Sequence, residues 1–462
     1  MSRIAKILIF AFLVIAHSSL AKQETRTLPT PDERFKADIM LVVAHPDDEA
    51  AATPYLVRAL DEHKRVAVVY GTRGSSGSNS AGMELASSLG AIREIEGRNA
   101  LSTLGITNVW FLGGNDTASQ NVLQSLANWG HGASLEQLVR IVRLTRPEVI
   151  LTFLPGIFIG EDHGDHQAAG VIATEAFDCA GDPTIFPEQV AASAQRRELF
   201  LENLRPWQPK KIYYFPDADR EDIFRGKGPE YSVKDISPTS KRPYWRMALD
   251  SFRAHQTQHK SYLDLLASLD DAQLEKRATA DGWTNPQSFV LGKSLVGGGP
   301  TSDVFDSIGA NSIPFARPDV SPGPAKSDLY IELGGPWGFY SDFRREHGLM
   351  NLPHPEPEEI AVQVPGILVI PLWLANQGTA SVEVNLIETL PSGWAAQSGT
   401  GKFLLAAKQV AGPRVEVNLP ALPENPTKKA DAQGITVRAE VAGRLIGEIK
   451  LRVEPRKSAL PQ

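Results

Sequence analysis

Cysteine is almost absent from these 462 residues: Cys179 stands alone, so no intrachain disulfide can form in any redox compartment. Basic residues are in deficit. The chain sets 47 lysines and arginines against 54 aspartates and glutamates, a formal net charge of −7, and offers no electropositive footprint for DNA or RNA. Long apolar runs are missing as well. The stretch from Ile7 to Ala16 falls short of the roughly 20 residues that span a bilayer. It follows the basic Arg3 and Lys6 and precedes Ser19-Leu20-Ala21, a small-x-small cleavage signal. That order predicts a secretory leader over residues 1–21, export to a periplasmic or extracellular location, and no membrane span once the leader is cut. No cysteine follows the cut, so a lipid anchor is not expected. Repeats and low-complexity tracts are lacking too. The glycine-rich "GTRGSSGSNSAG" at 71–82 lacks the Gly-Lys-Ser/Thr of a phosphate-binding loop and is read as a mobile rim loop.

What is present divides the chain, which is longer than one hydrophobic core usually supports. Ile39 to Ala44, Val66 to Tyr70, Val109 to Leu112 and Val149 to Phe153 are short apolar runs of the kind that buried parallel strands show. Helical stretches at Pro54 to His63, Leu85 to Leu104 and Leu135 to Leu144 separate them. This alternation predicts an α/β domain, a Rossmann-like parallel sheet, over residues 35–270. Proline then gathers at Ile313 to Pro324 and Leu352 to Pro365, where "PHPEPEE" marks a linker. Residues 271–355 are read as an extension without an assigned fold. Beyond them Val382, Val384 and Leu386, then Ile435, Val437, Ala439 and Val441, then Ile449, Leu451 and Val453 alternate with polar residues. Strand periodicity without helical pattern predicts a small all-β sandwich over 360–456, with "LPSGW" at 390–394 as a corner.

In open α/β sheets ligands bind beyond the carboxyl ends of the strands. Polar groups crowd all four of those positions: His45-Pro46-Asp47-Asp48-Glu49, then Gly71-Thr72-Arg73-Gly74, then Gly113-Gly114-Asn115-Asp116, and finally "EDHGDHQAAG". His45 and Asp48 stand three apart where a strand turns into a helix, a spacing that aims both side chains at one spot. His163 and His166 repeat it. Two imidazoles and a carboxylate with an open position suit a catalytic Zn²⁺, with Fe²⁺ among the other divalent ions the set admits, and His45, Asp48 and His166 form the expected ligand set. The competing explanation, that His-Pro-Asp-Asp merely caps a helix, accounts for one such cluster but not for two on the same rim.

These residues also resemble a family, the PIG-L/LmbE-type deacetylases, which remove acyl groups from N-acylated amino sugars. The resemblance rests on "AHPDDE" at 44–49 and runs through Arg93 and Glu96 in "AIREIEGRNALSTLG" and "HGDH" at 163–166. It ends at "AHQTQ", 254–258, which is similar to the family's late His-x-Ser/Thr-Gln motif, and covers roughly residues 37–265. Gly164 stands where many members carry proline. The resemblance implies His45, Asp48 and His166 as zinc ligands, Asp47 as general base, and His163 as the residue that polarises the carbonyl and assists the leaving amine. Asp165 is placed to orient one of the histidines. Arg73, Arg93, Asn115 and Asp116 lie where a sugar's hydroxyls can be read, surface ion pairing being the other explanation for the arginines. The resemblance adds His255 and Gln258 to the pocket wall. His255 and His259 invite reading as a helical metal pair, but Gln256 replaces the glutamate a zincin requires, and His259 is taken as a capping or packing residue.

The leading expectation is an exported, zinc-dependent hydrolase that frees a carboxylate, acetate in the first instance, and an amine from an N-acylated amino sugar or glycan. Oligomeric state is not encoded legibly. An amidase of another secondary amide, such as a thiol conjugate, fits the same residues. A non-haem iron oxygenase shares the donor set but usually builds it on a β-barrel. A catalytically inactive glycan-binding protein would keep the fold, yet it has no use for Asp47 and His163. The C-terminal sandwich resembles immunoglobulin-like modules of secreted carbohydrate-active enzymes through "LANQG" and "LPSGW".

Overall fold

The computed structural model describes residues 31–457 except 118, 159–162, 191–202, 217–223, 310–311, 319, 321, 324–325 and 423–431. The leader predicted over residues 1–21 lies outside the described residues. Strands β1 (Ile39–Val43), β2 (Val66–Tyr70), β3 (Asn108–Phe111), β4 (Val149–Phe153) and β5 (Lys211–Phe215) pair in parallel in the order β3-β2-β1-β4-β5. Every residue of β1, β2, β4 and β5 is buried, as expected of β-branched and aromatic strands covered on both faces. Helices α1 (Thr53–Asp61), α2 (Ala86–Ser102), α3 (Val122–Trp129), α4 (His131–Thr145) and α5 (Gly164–Cys179) cover the sheet. Local signals set their ends. Pro54 sits in the first turn of α1, and Asn121 caps α3, which stops at Gly130 in a left-handed conformation (φ 65°). The strand order reverses between β1 and β4, and that crevice holds the predicted site.

The unassigned middle of the chain is ordered into both halves. Short strands β6 (Glu230–Tyr231) and β7 (Gln287–Ser288) pair with each other, and β8 (Val290–Ser294) adds a sixth, antiparallel strand beside β5. Helices α6 (Tyr244–Phe252) and α7 (Gln256–Ala267) pack on α2, and α6 also on α1, while α8 (Asp271–Ala280) buries Leu274 and Ala278 in one cluster with Trp245, Leu249, Leu263 and Leu266; α8 starts with a capping box between Asp270 and Gln273. Strand β9 (Leu329–Leu333) pairs with the sandwich, and α9 (Gly335–Glu346) docks on the α/β domain. The sandwich comprises β10 (Glu358–Val364), β11 (Gly366–Asn376), β12 (Val382–Thr389), β13 (Ala395–Ser398), β14 (Gly401–Leu405), β15 (Val410–Ala411), β16 (Arg414–Leu419), β17 (Gln433–Val441) and β18 (Arg444–Lys457). One sheet runs β10-β18-β17-β12-β14 and the other β13-β16-β11-β15, with only the β10–β18 pairing parallel. The alternating residues named above face inward: Val384, Leu386, Ile435, Val437, Ala439, Leu451 and Val453 are buried. "LPSGW" carries the chain from β12 in one sheet to β13 in the other. Among the described residues no helix is long and apolar enough to cross a membrane.

Helix α5 is gripped from behind. The Tyr340 hydroxyl of α9 donates to Gln167 Oε1 at 2.7 Å, and Asp178 accepts from Lys293 of β8 (2.6 Å) and pairs with His347 at the end of α9 (2.7 Å). At its front end, Gly164 N–H donates to Ser119 O at 2.7 Å, and a Cβ there would lie 2.7 Å from Ser125 Oγ and 2.8 Å from Ser119 O. Proline is ordinarily welcome at a first helical position, but here it would lose a donor and meet backbone. Gly164→Pro is expected to destabilise the fold by about 2–4 kcal/mol, seen as a lower urea midpoint at unchanged m-value; an unchanged midpoint would contradict the close packing of this turn.

Candidate active site

The loop leaving β1 folds back on itself. Asp48 Oδ2 accepts the backbone N–H groups of Ala44 (3.0 Å) and His45 (2.7 Å), which pins the carboxylate against the strand end. Asp47 is forced into a positive-φ conformation (φ 111°), unusual for a residue with a Cβ, and its N–H donates to Glu49 Oε2 at 2.9 Å. Its side chain makes no capping bond to the short 3₁₀ turn Asp48–Ala51, and His163 makes none to α5, so capping does not explain either cluster.

From β4 and α5 come the other two imidazoles. His166 stacks on Phe153 with ring centroids 4.5 Å apart and planes 13° apart. Its Nε2 lies 3.2 Å from Asp48 Oδ1, while His45 Nδ1 lies 3.4 Å from Asp48 Oδ2. On the far side of its ring, His45 Nε2 stands 2.8 Å from Asp116 Oδ1 and 3.3 Å from Asp165 Oδ2. Two carboxylates facing Nε2 hold a proton there, so that Nδ1, on the Asp48 side, is the ring nitrogen left to face a cation. Donor atoms of His45, Asp48 and His166 all lie within 4.8 Å of one another, as do those of His45, His163 and Asp165. Tetrahedral zinc with bonds of about 2.0–2.1 Å separates its ligands by about 3.3–3.4 Å, so the first set fits such an ion. Among the described residues, the buried Nδ1 of His163 has no hydrogen-bond partner.

Electrostatics distinguish the three rings. Burial disfavours charge on His45, but Asp48, Asp116 and Asp165 overcome it and hold the imidazole well above its ordinary range. Asp48 is the converse: burial pushes it up, and His166 and His45 pull it well below the usual carboxylate range. Asp116 is lowered against its burial by His45 and the Ser76 N–H. His163 is lowered, first by burial and then by the neighbouring His45 and His166, which leaves it neutral near pH 7.

A cavity of about 300 Å³ opens on the cluster, lined by His45, Asp47, Asp48, Ser76, Gly77, Arg93, Asp116, Thr117, His163, His166 and Gln258. Three of the expected substrate contacts, Arg93, Asp116 and Gln258, are in its wall, and three are not. Arg73 pairs with Glu94 at 2.5 Å and, with Asn115, lines a separate recess of about 540 Å³ beside Gly113 and Gly114. His255 is fully buried, because its Nε2 is held by Glu49 Oε1 at 2.6 Å. Among the described residues, Arg93 has no ion-pair partner. It is buried, its guanidinium donating to the carbonyls of Gly74 and Ser78, so it holds the rim loop that the sequence suggested was mobile. That loop is fastened again by Ser76 N–H to Asp116 Oδ2 (2.7 Å) and Ser80 N–H to Thr257 O (2.8 Å).

The late motif turns out to clamp the first one. Gln258 Nε2 donates to Pro46 O (2.7 Å), His259 Nε2 meets Asp47 Oδ2 (2.8 Å), and Glu96 of α2 accepts from the N–H and hydroxyl of Thr257 (2.9 and 2.6 Å). His259, expected to cap or pack, does pack on Phe252, and it also reaches Asp47, whose side chain lines the cavity. The i, i+4 spacing from His255 was the available signal, but it serves two acidic partners of the 46–49 loop and not a metal.

Residues 40–177 match the PIG-L family model, described as GlcNAc-PI de-N-acetylase. A Frankia casuarinae protein named 1D-myo-inositol 2-acetamido-2-deoxy-α-D-glucopyranoside deacetylase 1 is 29% identical over 306 residues, covering 58% of this chain and 94% of that one. A Thermobifida fusca protein named as a deacetylase of the same compound is 27% identical over 241 residues, covering 48% and 82%. Among solved structures, N,N′-diacetylchitobiose deacetylase from Pyrococcus horikoshii aligns at 20% identity and a TM-score of 0.37 over 55% of this chain and 84% of that one.

The buried Glu49–His255 pair gives a pH signature. Burial lowers His255, but Glu49 raises it further, so the net folded value lies above the ordinary one of about 6.5. A raised folded value stabilises fully below the unfolded value and loses that contribution as pH climbs through the folded one. The stability difference between wild type and His255→Gln, from urea unfolding, is expected to shrink as pH rises above about 6.5. A constant difference would count against the pair.

Proposed function

As a chain with a PIG-L family domain at residues 40–177, this protein is a hydrolase of non-peptide carbon–nitrogen bonds, and we propose that it removes an N-acyl group from an amino sugar or glycoconjugate. The acyl group is acetyl in the first instance. The acceptor class we favour is a 2-acetamido-2-deoxyglucopyranoside, the unit in the name of the Frankia relative. The reading is carried by one observation: a His-Asp-His set, His45, Asp48 and His166, shares a cavity with a carboxylate, Asp47, and a third imidazole, His163.

His45, Asp48 and His166 would hold the ion, which we take to be zinc. When bound, such a cation supplies Lewis acidity that activates water and polarises the amide carbonyl. Asp47 accepts the water's proton as the oxygen attacks the amide carbon. His163, neutral in the resting site, donates its N–H to the developing oxyanion; a neutral imidazole suffices for this, and its lowered pKa argues against a standing imidazolium. On collapse of the tetrahedral adduct, the C–N bond breaks and the proton held by Asp47 passes to the amine, leaving a carboxylate; the resemblance gave this proton delivery to His163, but burial and the neighbouring histidines disfavour a proton stored there. Asp116 and Asp165 keep His45 in its tautomer throughout. Thr117 N–H, donating to Asp165 Oδ2 at 3.0 Å, holds that carboxylate in place. We further propose that the protein is exported, on the basic, apolar and small-residue order of residues 1–21.

The test is acetate release from N-acetylglucosamine oligomers and glycosides by metal-stripped enzyme with and without Zn²⁺. Zinc-dependent release is expected, and Asp47→Asn should lower kcat by about 10²–10⁴-fold at unchanged zinc content. Stoichiometric zinc without release would discard the substrate class; absence of zinc binding would discard the mechanism. For export, the protein recovered outside the cytoplasm should begin at Lys22; an intact Met1 would refute the leader.

A further inference from the structure

His259 occupies an odd position for a packing residue. Helix α7 loses its regular geometry at this one residue (φ −130°, ψ 23°), and the break turns the imidazole toward the 46–49 loop. The ring lies against Phe252, with centroids 4.7 Å apart, and its Nε2 sits 2.8 Å from Asp47 Oδ2. The two neighbouring clamps hold other groups of the same loop: Gln258 takes the Pro46 carbonyl and His255 takes Glu49. Among the described residues, His259 is the one seen to hydrogen-bond the side chain assigned as the base. An ionised carboxylate accepts and cannot donate, so the hydrogen of this contact belongs to His259 Nε2.

We propose that His259 is a positioning residue for Asp47: it fixes Oδ2 and leaves Oδ1 as the oxygen that receives the proton of the attacking water. The inference rests on Asp47 being the base of the proposed reaction. A carboxylate free to rotate about its last torsion presents either oxygen in a wide range of directions. Asp47 is already fixed at its backbone by the positive φ and the bond to Glu49, so a donor on Oδ2 removes the freedom that remains. Phe252 performs the same service for His259, one step farther from the reacting atoms. Geometry of this kind affects the chemical step and not ground-state binding, because His259 is absent from the lining of the cavity.

The zinc-loaded enzyme carrying His259→Phe keeps an aromatic ring beside Phe252 and loses the donor. Its kcat is expected to fall about 10–100-fold with KM within about twofold of wild type, and zinc content and Tm should not change. His259→Gln, whose amide nitrogen reaches the place of Nε2, should recover kcat to within several-fold of wild type. The idea is overturned if His259→Phe turns over like wild type, if the loss appears in KM or zinc content, or if His259→Gln is as slow as His259→Phe. Asp47→Asn, assayed beside them, separates the two readings. A fast Asp47→Asn would remove the base and the mechanism above, whereas a slow Asp47→Asn with a fast His259→Phe would remove only this inference.

Discussion

The site depends on how the Asp48 carboxylate is divided. One oxygen is committed to the backbone N–H groups of Ala44 and His45, which turns the chain sharply at the end of β1; the other faces His166. The turn does several things at once. It swings His45 over the strand ends, forces Asp47 into its left-handed conformation and sends Glu49 inward to His255. An asparagine could accept at one oxygen but would bring no charge to the ligand face, and a glutamate is too long for the turn. The requirement is for a short, ionised side chain at that position.

The same carboxylate creates an electrostatic problem that the site leaves open. Asp47, Asp48, Asp116 and Asp165 gather around three imidazoles, and the buried guanidinium of Arg93 is occupied with loop carbonyls. Protein groups alone answer this by charging His45. A divalent cation answers it better, since it lets His45 stay neutral and present a lone pair while Asp116 and Asp165 keep an N–H to accept. The acidity of this rim and its fitness for a metal have one origin.

Much of this could be read in the sequence, for reasons that are local. Parallel strands announce themselves as short apolar runs, and strands of the sandwich as alternation, because burial on two faces or one imposes those patterns on neighbouring residues. His45 with Asp48, and His163 with His166, are legible because three residues is one turn. Strand β8, "VLGKS", was hidden by a glycine and a lysine, yet it closes the sheet because Lys293 has Asp178 to meet. Arg93, Asp116, His255 and His259 were harder. Their partners lie between 15 and 212 residues away, and no periodicity encodes which polar side chain will bridge two loops. Arg73 and Asn115 stand on the predicted rim but face a different recess, since a loop position specifies an edge of the sheet and not a direction.

The brace on α5 bears on how separable the two halves of this protein are. His166 is followed directly by Gln167, buried under Tyr340 of α9, and the far end of the same helix is tied to β8 and His347. Helix α9, which lies between the sandwich strands β9 and β10, is thus joined to the helix carrying His166 through side chains. Cutting the chain after residue 270 would strip an edge from the central sheet, leave Asp178 without its cation and bare the face that Trp337, Tyr340 and Phe343 cover. Such a helix is not a cassette. In evolutionary terms, a module grafted in this way is hard to exchange for another, because each replacement must also supply the residues that hold the helix carrying His166 from behind.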